Sequence, residues 1–412
     1  ILNAAVRPMA DAKPIAVTTD GTTTATITAS TDAVRGLAPV SVIVRNVTTG
    51  AVSTTETVTG GAFTTTVAGV PGQPLELQAT DKHGRVSIRS LGQVPFANLI
   101  HTSVASYTQA FNDDNYRSRR VATDGVRTIL STGSTFAGVP RTDNLLAYTQ
   151  TSPTSAPTPV STGTSGGAVE QVVIKGDYAY TAADTISAVN LATTPLTLTV
   201  GPNHNGRENS ITVIGNKLYA AEAGSLEDGV ITVYDITSPS APVTGIRPKL
   251  YDAQGFDFIE LVPISNDYLA AISINKDITI VDLRNSSTMS IAGELNIANF
   301  DSFNAAVQGT TLYVVGGTKG IAIVDISNPA APVLKSIIQT PGIARAVAIS
   351  GTNEIVVADA GGPGITFIDT TNKTQPVILG SQRLPGNATD VKAIGKTIYV
   401  AGETFFHIVN RP

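Results

Sequence analysis

The chain has 412 residues and no cysteine. That excludes disulfides, thiolate metal sites and cysteine nucleophiles, though it does not fix the compartment. Charge is sparse: 14% of residues are charged and the formal net charge is −5. A nucleic-acid partner would want a basic face, so none is expected. There is no run of eighteen apolar residues, and no membrane-spanning helix is expected. Histidine is scarce too. His83, His101, His204 and His407 are scattered, and none lies in an HExxH pattern. Walker and G-x-G-x-x-G phosphate loops are missing. G-x-S-x-G does occur, at Gly163–Gly167. A nucleophile elbow needs a strand before it and a helix after it, whereas here a Ser/Thr/Pro-rich stretch precedes and a strand pattern follows. Ile stands first and no leader pattern opens the chain; the expectation is a start after cleavage or inside a longer precursor.

What the chain has in quantity is threonine and repetition. "GIAIVDISNPAAPVL" (Gly320 to Leu334) returns as "GVITVYDITSPSAPVT" (from Gly229), "DITIVDLRNSSTMSIA" (from Asp277) and "GITFIDTTNKTQPVIL" (from Gly364). Weaker copies bring the aligned anchors to Thr149, Asn190, Asp235, Asp282, Asp325, Asp369 and Asn410, spaced 41 to 47 residues apart. A period near 40 to 45 is that of a four-stranded propeller blade. Each copy reads as the third strand of a blade. The Asp at its end accepts backbone N–H groups just beyond it, and the prolines that follow cannot donate to a ladder, so the strand stops. Upstream of several copies stands a hairpin signature, as in "VVIKGDYAYTA" from Val172 or "KAIGKTIYVAG" from Lys392. The last copy ends after three strands. "NLIHTSVASYT" from Asn98 alternates suitably and is expected to supply the fourth, since an open edge invites aggregation.

These copies resemble the LVIVD repeat, a propeller-forming repeat of bacterial and archaeal proteins, many of them at the cell surface. The resemblance covers roughly residues 95 to 412 and implies a fold and a location, with no settled activity. Residues 15–92 differ. Five alternating stretches, among them "TTTATITAS" and "LELQATD", are parted by Gly, Pro and Asp-Lys-His-Gly turns. The pattern is that of a small β-sandwich and resembles bacterial immunoglobulin-like modules. The expected fold is therefore all-β: an extended arm (1–14), an immunoglobulin-like β-sandwich (15–92) and a seven-bladed β-propeller (93–412).

Propellers bind ligands where blade-linking loops converge on the channel mouth. The residues expected there, low in number of His and mixed in sign, are Arg120, Arg207, Glu208, Asp257, Glu260, Asn304, Arg345 and Asp390. A metal-dependent propeller enzyme would concentrate carboxylates or His at that mouth, so neither catalysis nor a transition metal is expected. Two acidic groupings, Asp113 with Asp114 and Asp252 with Asp257 and Glu260, lack the spacing of a calcium loop but leave calcium open. The apolar arm, with Ile1, Leu2 and Val6, leaves two readings: self-association by strand addition to a second copy, or packing on its own sandwich as an ordinary first strand. The function expected is a secreted or cell-surface structural or interaction protein, working in adhesion or as a subunit of a surface layer or filament. Surface glycans or other surface proteins are the further partners considered. The rivals are a hydrolase or lactonase acting at the channel mouth and a glycan- or small-ligand-binding module.

Overall fold

A computed structural model describes residues 9–10, 15–19, 24–93, 100–106, 119–132, 145–150 and 158–410, with short breaks inside the longer ranges. Among the described residues every regular element is a strand. Two compact units are present, one comprising Ile1–Leu99 with Val377–Ser381, the other Ile100–Pro376 with Gln382–Pro412.

In the first unit, Ile15–Thr19, Thr24–Ala29 and Phe63–Ala68 form a three-stranded antiparallel sheet. Glu56–Val58, Val40–Asn46, Pro74–Thr80 and Val86–Gln93 form a four-stranded one, in that order. Alternation dictates the packing. Phe63–Ala68 runs buried, exposed, buried along its length, and Val40–Asn46 likewise turns Val40, Val42 and Val44 inward. Ala25, Ile27 and Val67 of one sheet share a core with Val42, Val44, Leu75 and Leu77 of the other. Met9–Ala10, from the stretch read as an extended arm, pairs with Val34–Arg35 of its own chain. Ile1, Leu2 and Val6 lie outside the described residues.

Beyond Leu99 the described strands form seven four-stranded antiparallel sheets. Their inner strands are Arg119–Thr123, Gln171–Lys175, Arg207–Ile214, Phe258–Pro263, Asn304–Gln308, Ile343–Gly351 and Ala388–Ile394. We number the sheets 1 to 7 in that order. Each inner strand packs against the next, and that of sheet 7 packs against that of sheet 1, so the series closes on itself. Second and third strands are continuously apolar because a neighbouring sheet covers both faces. Thr311–Val315 is buried throughout, and Ile321–Asp325 all but its final Asp. Fourth strands face solvent on one side, as in Val333–Ile338. Sheet 7 takes three strands from the chain end and its fourth from Ile100–Ser106, which pairs with Phe405–Asn410. This is the strand the truncated last copy called for.

The recurring Asp works as its position suggests. Asp235, Asp282, Asp325 and Asp369 each accept the N–H two residues on, at 2.7–2.9 Å, and Asn190 does the same. Those bonds draw the Asp325 carboxyl down to about 2, the Ser327 backbone N–H being the chief cause, helped by the Ser327 side chain and Lys335.

Candidate functional site

The candidate site is the ring where the inner strands begin, and at four of its seven sheet boundaries the geometry follows one rule. A polar side chain near the start of one inner strand accepts the backbone N–H of the next sheet's inner strand. Asp390 of sheet 7 accepts from Val121 of sheet 1 at 2.8 Å. Gln171 accepts from Ile211 at 2.6 Å, Ser210 from Leu261 at 2.8 Å and Asn304 from Val347 at 3.0 Å. Inner-strand backbones cannot hydrogen-bond each other across a sheet boundary, so a side chain must supply the acceptor. In four of the seven inner strands the register shifts just here, between Glu208 and Ser210, Phe258 and Glu260, Ala344 and Ala346, and Ala388 and Asp390. Such a bulge inserts one residue and re-aims its neighbours.

Three further bonds cross the ring. Ser210 Oγ donates to Gln171 Oε1 at 2.6 Å, and Gln171 Nε2 donates to Glu260 Oε1 at 2.8 Å. The other oxygen of Glu260 pairs with Arg120 Nη2 at 3.1 Å, the two side chains being 4% and 13% exposed. Sheets 1, 2, 3 and 4 are thereby joined through one buried chain of polar groups. Burial works against the Arg120 charge, but Glu260 and Asp390 outweigh it and the guanidinium holds its proton more tightly than usual.

Beside this ring lies a second buried cluster, within sheet 3. Glu208 and Glu222 stand directly opposite on adjacent strands. Arg247 neutralises Glu222, its Nε donating at 2.9 Å. Thr232 Oγ1 donates to the same carboxylate. Glu208 accepts from the Tyr234 hydroxyl at 3.0 Å. Burial, and then repulsion from Glu222, push the Glu208 carboxyl up to about 8, so it is largely protonated at neutral pH. In sheet 6, Asp359 collects three donors, the Thr340 and Thr366 hydroxyls at 2.8 Å and the Gly342 N–H at 3.0 Å. Burial pushes that carboxyl up as well. Gly342 must be glycine, because a Cβ there would stand 2.6 Å from the Ala360 oxygen and 2.8 Å from Asp359 Oδ1.

Of the residues expected at the mouth, Arg120, Glu260, Asn304 and Asp390 thus sit in the ring, and Glu208 is in the neighbouring cluster. Arg345 occupies a bulge and is exposed. Arg207 begins an inner strand, its side chain outside the described residues, as are Asp257, Asp113, Asp114 and His204. The Gly-rich motif is described only at Gly163, the last residue of a strand. Buried His407 lies on a strand. Sequence reading passed over Glu222, Arg247, Tyr234 and Asp359; their partners come from distant strands and loops, and no local motif marks them. Among the described residues no group of three or more His, Asp or Glu is placed to hold a metal.

The LVIVD repeat matches residues 166–185 and 301–340. No curated protein matches the sequence. Among solved structures, the WD40 β-propeller domain of Doa1 aligns at 14% identity and a TM-score of 0.56, over 76% of this chain and 98% of that one. The chain is a propeller repeat protein. Virginiamycin B lyase from Staphylococcus aureus, in a catalytically inactive form with quinupristin, shares the fold at 11% identity and a TM-score of 0.56, over 76% and 99% of the two chains. A chain of the mitotic checkpoint complex does so at 12% and 0.58, over 77% and 96%. At such identities the propeller likeness concerns architecture alone.

Proposed function

We propose that this propeller repeat protein is a non-enzymatic structural or interaction protein of the cell surface or extracellular space. In this reading it is a seven-bladed propeller preceded by an immunoglobulin-like sandwich, and it works in adhesion or as a subunit of a surface layer or filament. The observation that carries the reading is the ring itself. Asp390, Gln171, Ser210 and Asn304 each accept a backbone N–H of a neighbouring sheet, and Arg120, Gln171, Ser210 and Glu260 form a buried strut. A catalytic mouth would instead aim polar groups at open space where a substrate sits. The low charge and the abundance of threonine fit an exposed setting. Self-association is the proposed mode of work, with the segment before Met9 adding a strand to a sheet edge of a second copy.

Two measurements test this. Immunogold labelling of intact cells should decorate the outer face or a filament, and labelling confined to the interior refutes the location. Light scattering of the full chain should show assemblies that shrink to monomer when residues 1–8 are deleted. That deletion spares the Met9–Ala10 pairing; an unchanged size, or a monomeric full chain at high concentration, refutes arm-mediated assembly.

A further inference from the structure

Four Asn-x-Ser/Thr triplets occur, at Asn46, Asn285, Asn372 and Asn387. As sequence they are equivalent; the structure separates them. Asn46 is fully buried, and its amide nitrogen donates to Ala68 O at 3.0 Å and Gln73 Oε1 at 2.7 Å. Its carboxamide oxygen accepts from the N–H groups of Thr48 and Thr49. A sugar on that nitrogen would break both donor bonds and could not be housed. Asn387 is half-buried, and its oxygen accepts from Gly361 N at 2.9 Å. Asn285 and Asn372 are exposed.

These two occupy one position of the repeat, three residues beyond the anchors Asp282 and Asp369, in the turn between third and fourth strands. In Asn372 the side-chain oxygen accepts from Thr374 N at 3.1 Å and from Thr374 Oγ1 at 2.8 Å. The triplet's hydroxyl is thus already on the carboxamide, and both bonds fall on oxygen, leaving Nδ2 to solvent. The turn also lies beside the neighbouring sheet's outer strand, since Ser336 Oγ donates to Lys373 O at 2.6 Å. That strand carries Val333, Leu334 and Ile337, all 36% or more exposed. An outer strand with such a face is an aggregation hazard that bulky polar cover relieves.

We propose that Asn285 and Asn372 are N-glycosylation sites and that the glycan on Asn372 shields the outer strand of sheet 5. The donor is a lipid-phosphate-linked oligosaccharide. The bond from sugar C1 to phosphate oxygen breaks, a bond from C1 to Asn Nδ2 forms, the lipid phosphate leaves, and Nδ2 gives up one proton. The inference rests on the extracellular reading above.

The test is expression of the full chain through the secretory route of an N-glycosylating host, with an added N-terminal Asn-x-Thr tag as internal control. Peptide mass spectrometry should find glycan on Asn285 and Asn372 and none on Asn46 in the folded, monodisperse fraction. Asn285→Gln and Asn372→Gln should each remove one glycan. A bare Asn372 or Asn285 in molecules whose tag is occupied overturns the proposal, as does a folded fraction glycosylated at Asn46. In the native cell, protein on the outer face without glycan sinks this inference and leaves the location standing. Protein confined to the interior sinks the location, and the inference with it.

Discussion

Removing the Glu260 carboxylate leaves the Arg120 guanidinium in the middle of the ring without its closest counter-ion. Breaking a buried pair from one side costs about 3–5 kcal/mol, because the desolvation already suffered by the survivor is no longer offset. Here the lower end applies: Arg120 keeps 13% exposure, and Asp390 still acts on it. Glu260→Ala also strips Gln171 Nε2 of its acceptor. We expect a loss of about 3 kcal/mol. Glu260→Gln, which retains an oxygen for Gln171 but also removes the counter-ion of Arg120, should cost somewhat less, about 2–3 kcal/mol. The loss should shrink when Arg120→Met is added, since no buried charge then remains unpaired; the double-mutant cycle should give a coupling of about 1–3 kcal/mol. Urea unfolding followed by circular dichroism measures this, with calorimetry checking for a single transition. If Glu260→Ala costs less than about 1 kcal/mol with coupling near zero, the strut does not hold the ring, and the structural reading of these residues fails.

Three more outcomes follow from neighbouring features. Glu208 has a folded value near 8 against an ordinary 4.5, so the fold keeps a proton that the unfolded chain has released. The Glu208 contribution is full below about pH 4.5, declines up to about 8 and is absent above, by at most about 5 kcal/mol; Glu208→Gln should abolish that decline in melting curves, and parallel pH profiles would contradict it. Asp325→Ala should cost about 1 kcal/mol. Since the Asp325 value is lowered to about 2, its contribution stands above pH 4 and disappears between pH 4 and 2, where the variant's melting profile should merge with the parent's. Deleting Ile100–Ser106 should abolish the cooperative transition of the second unit in calorimetry, far beyond the effect of trimming a surface turn, because it opens sheet 7.

The repeats were legible because their signals are local. Asp325 bonds two residues ahead, and a run such as Ile321–Val324 needs no partner to declare itself a covered strand. The start of each inner strand was legible as a place, which is why Arg120, Glu260, Asn304 and Asp390 stood out. What they do there was not. Arg120 and Glu260 are 140 residues apart and meet only once the sheets have closed on themselves. The bulges that aim Ser210, Glu260 and Asp390 leave no residue signature, since Asn209, Ile259, Arg345 and Thr389 share no chemistry. Glu222 and Arg247 were invisible for the same reason: their pairing spans a hairpin and a loop. Met9–Ala10 takes the home-pairing one of the two readings the arm allowed, and the sequence could not choose between them, since apolar periodicity cannot tell a strand that pairs at home from one offered elsewhere.

The closing strand has a consequence for synthesis. Ile100–Ser106 emerges early, but its partner Phe405–Asn410 is about 300 residues behind it. At about 5–20 residues per second, the ribosome makes that strand wait roughly 15–60 seconds for its mate. Throughout that interval an alternating strand has nothing to pair with, and the second unit cannot complete itself from its first sheets alone. A pause or truncation near the end of the message therefore leaves not a slightly shortened protein but an unlatched one.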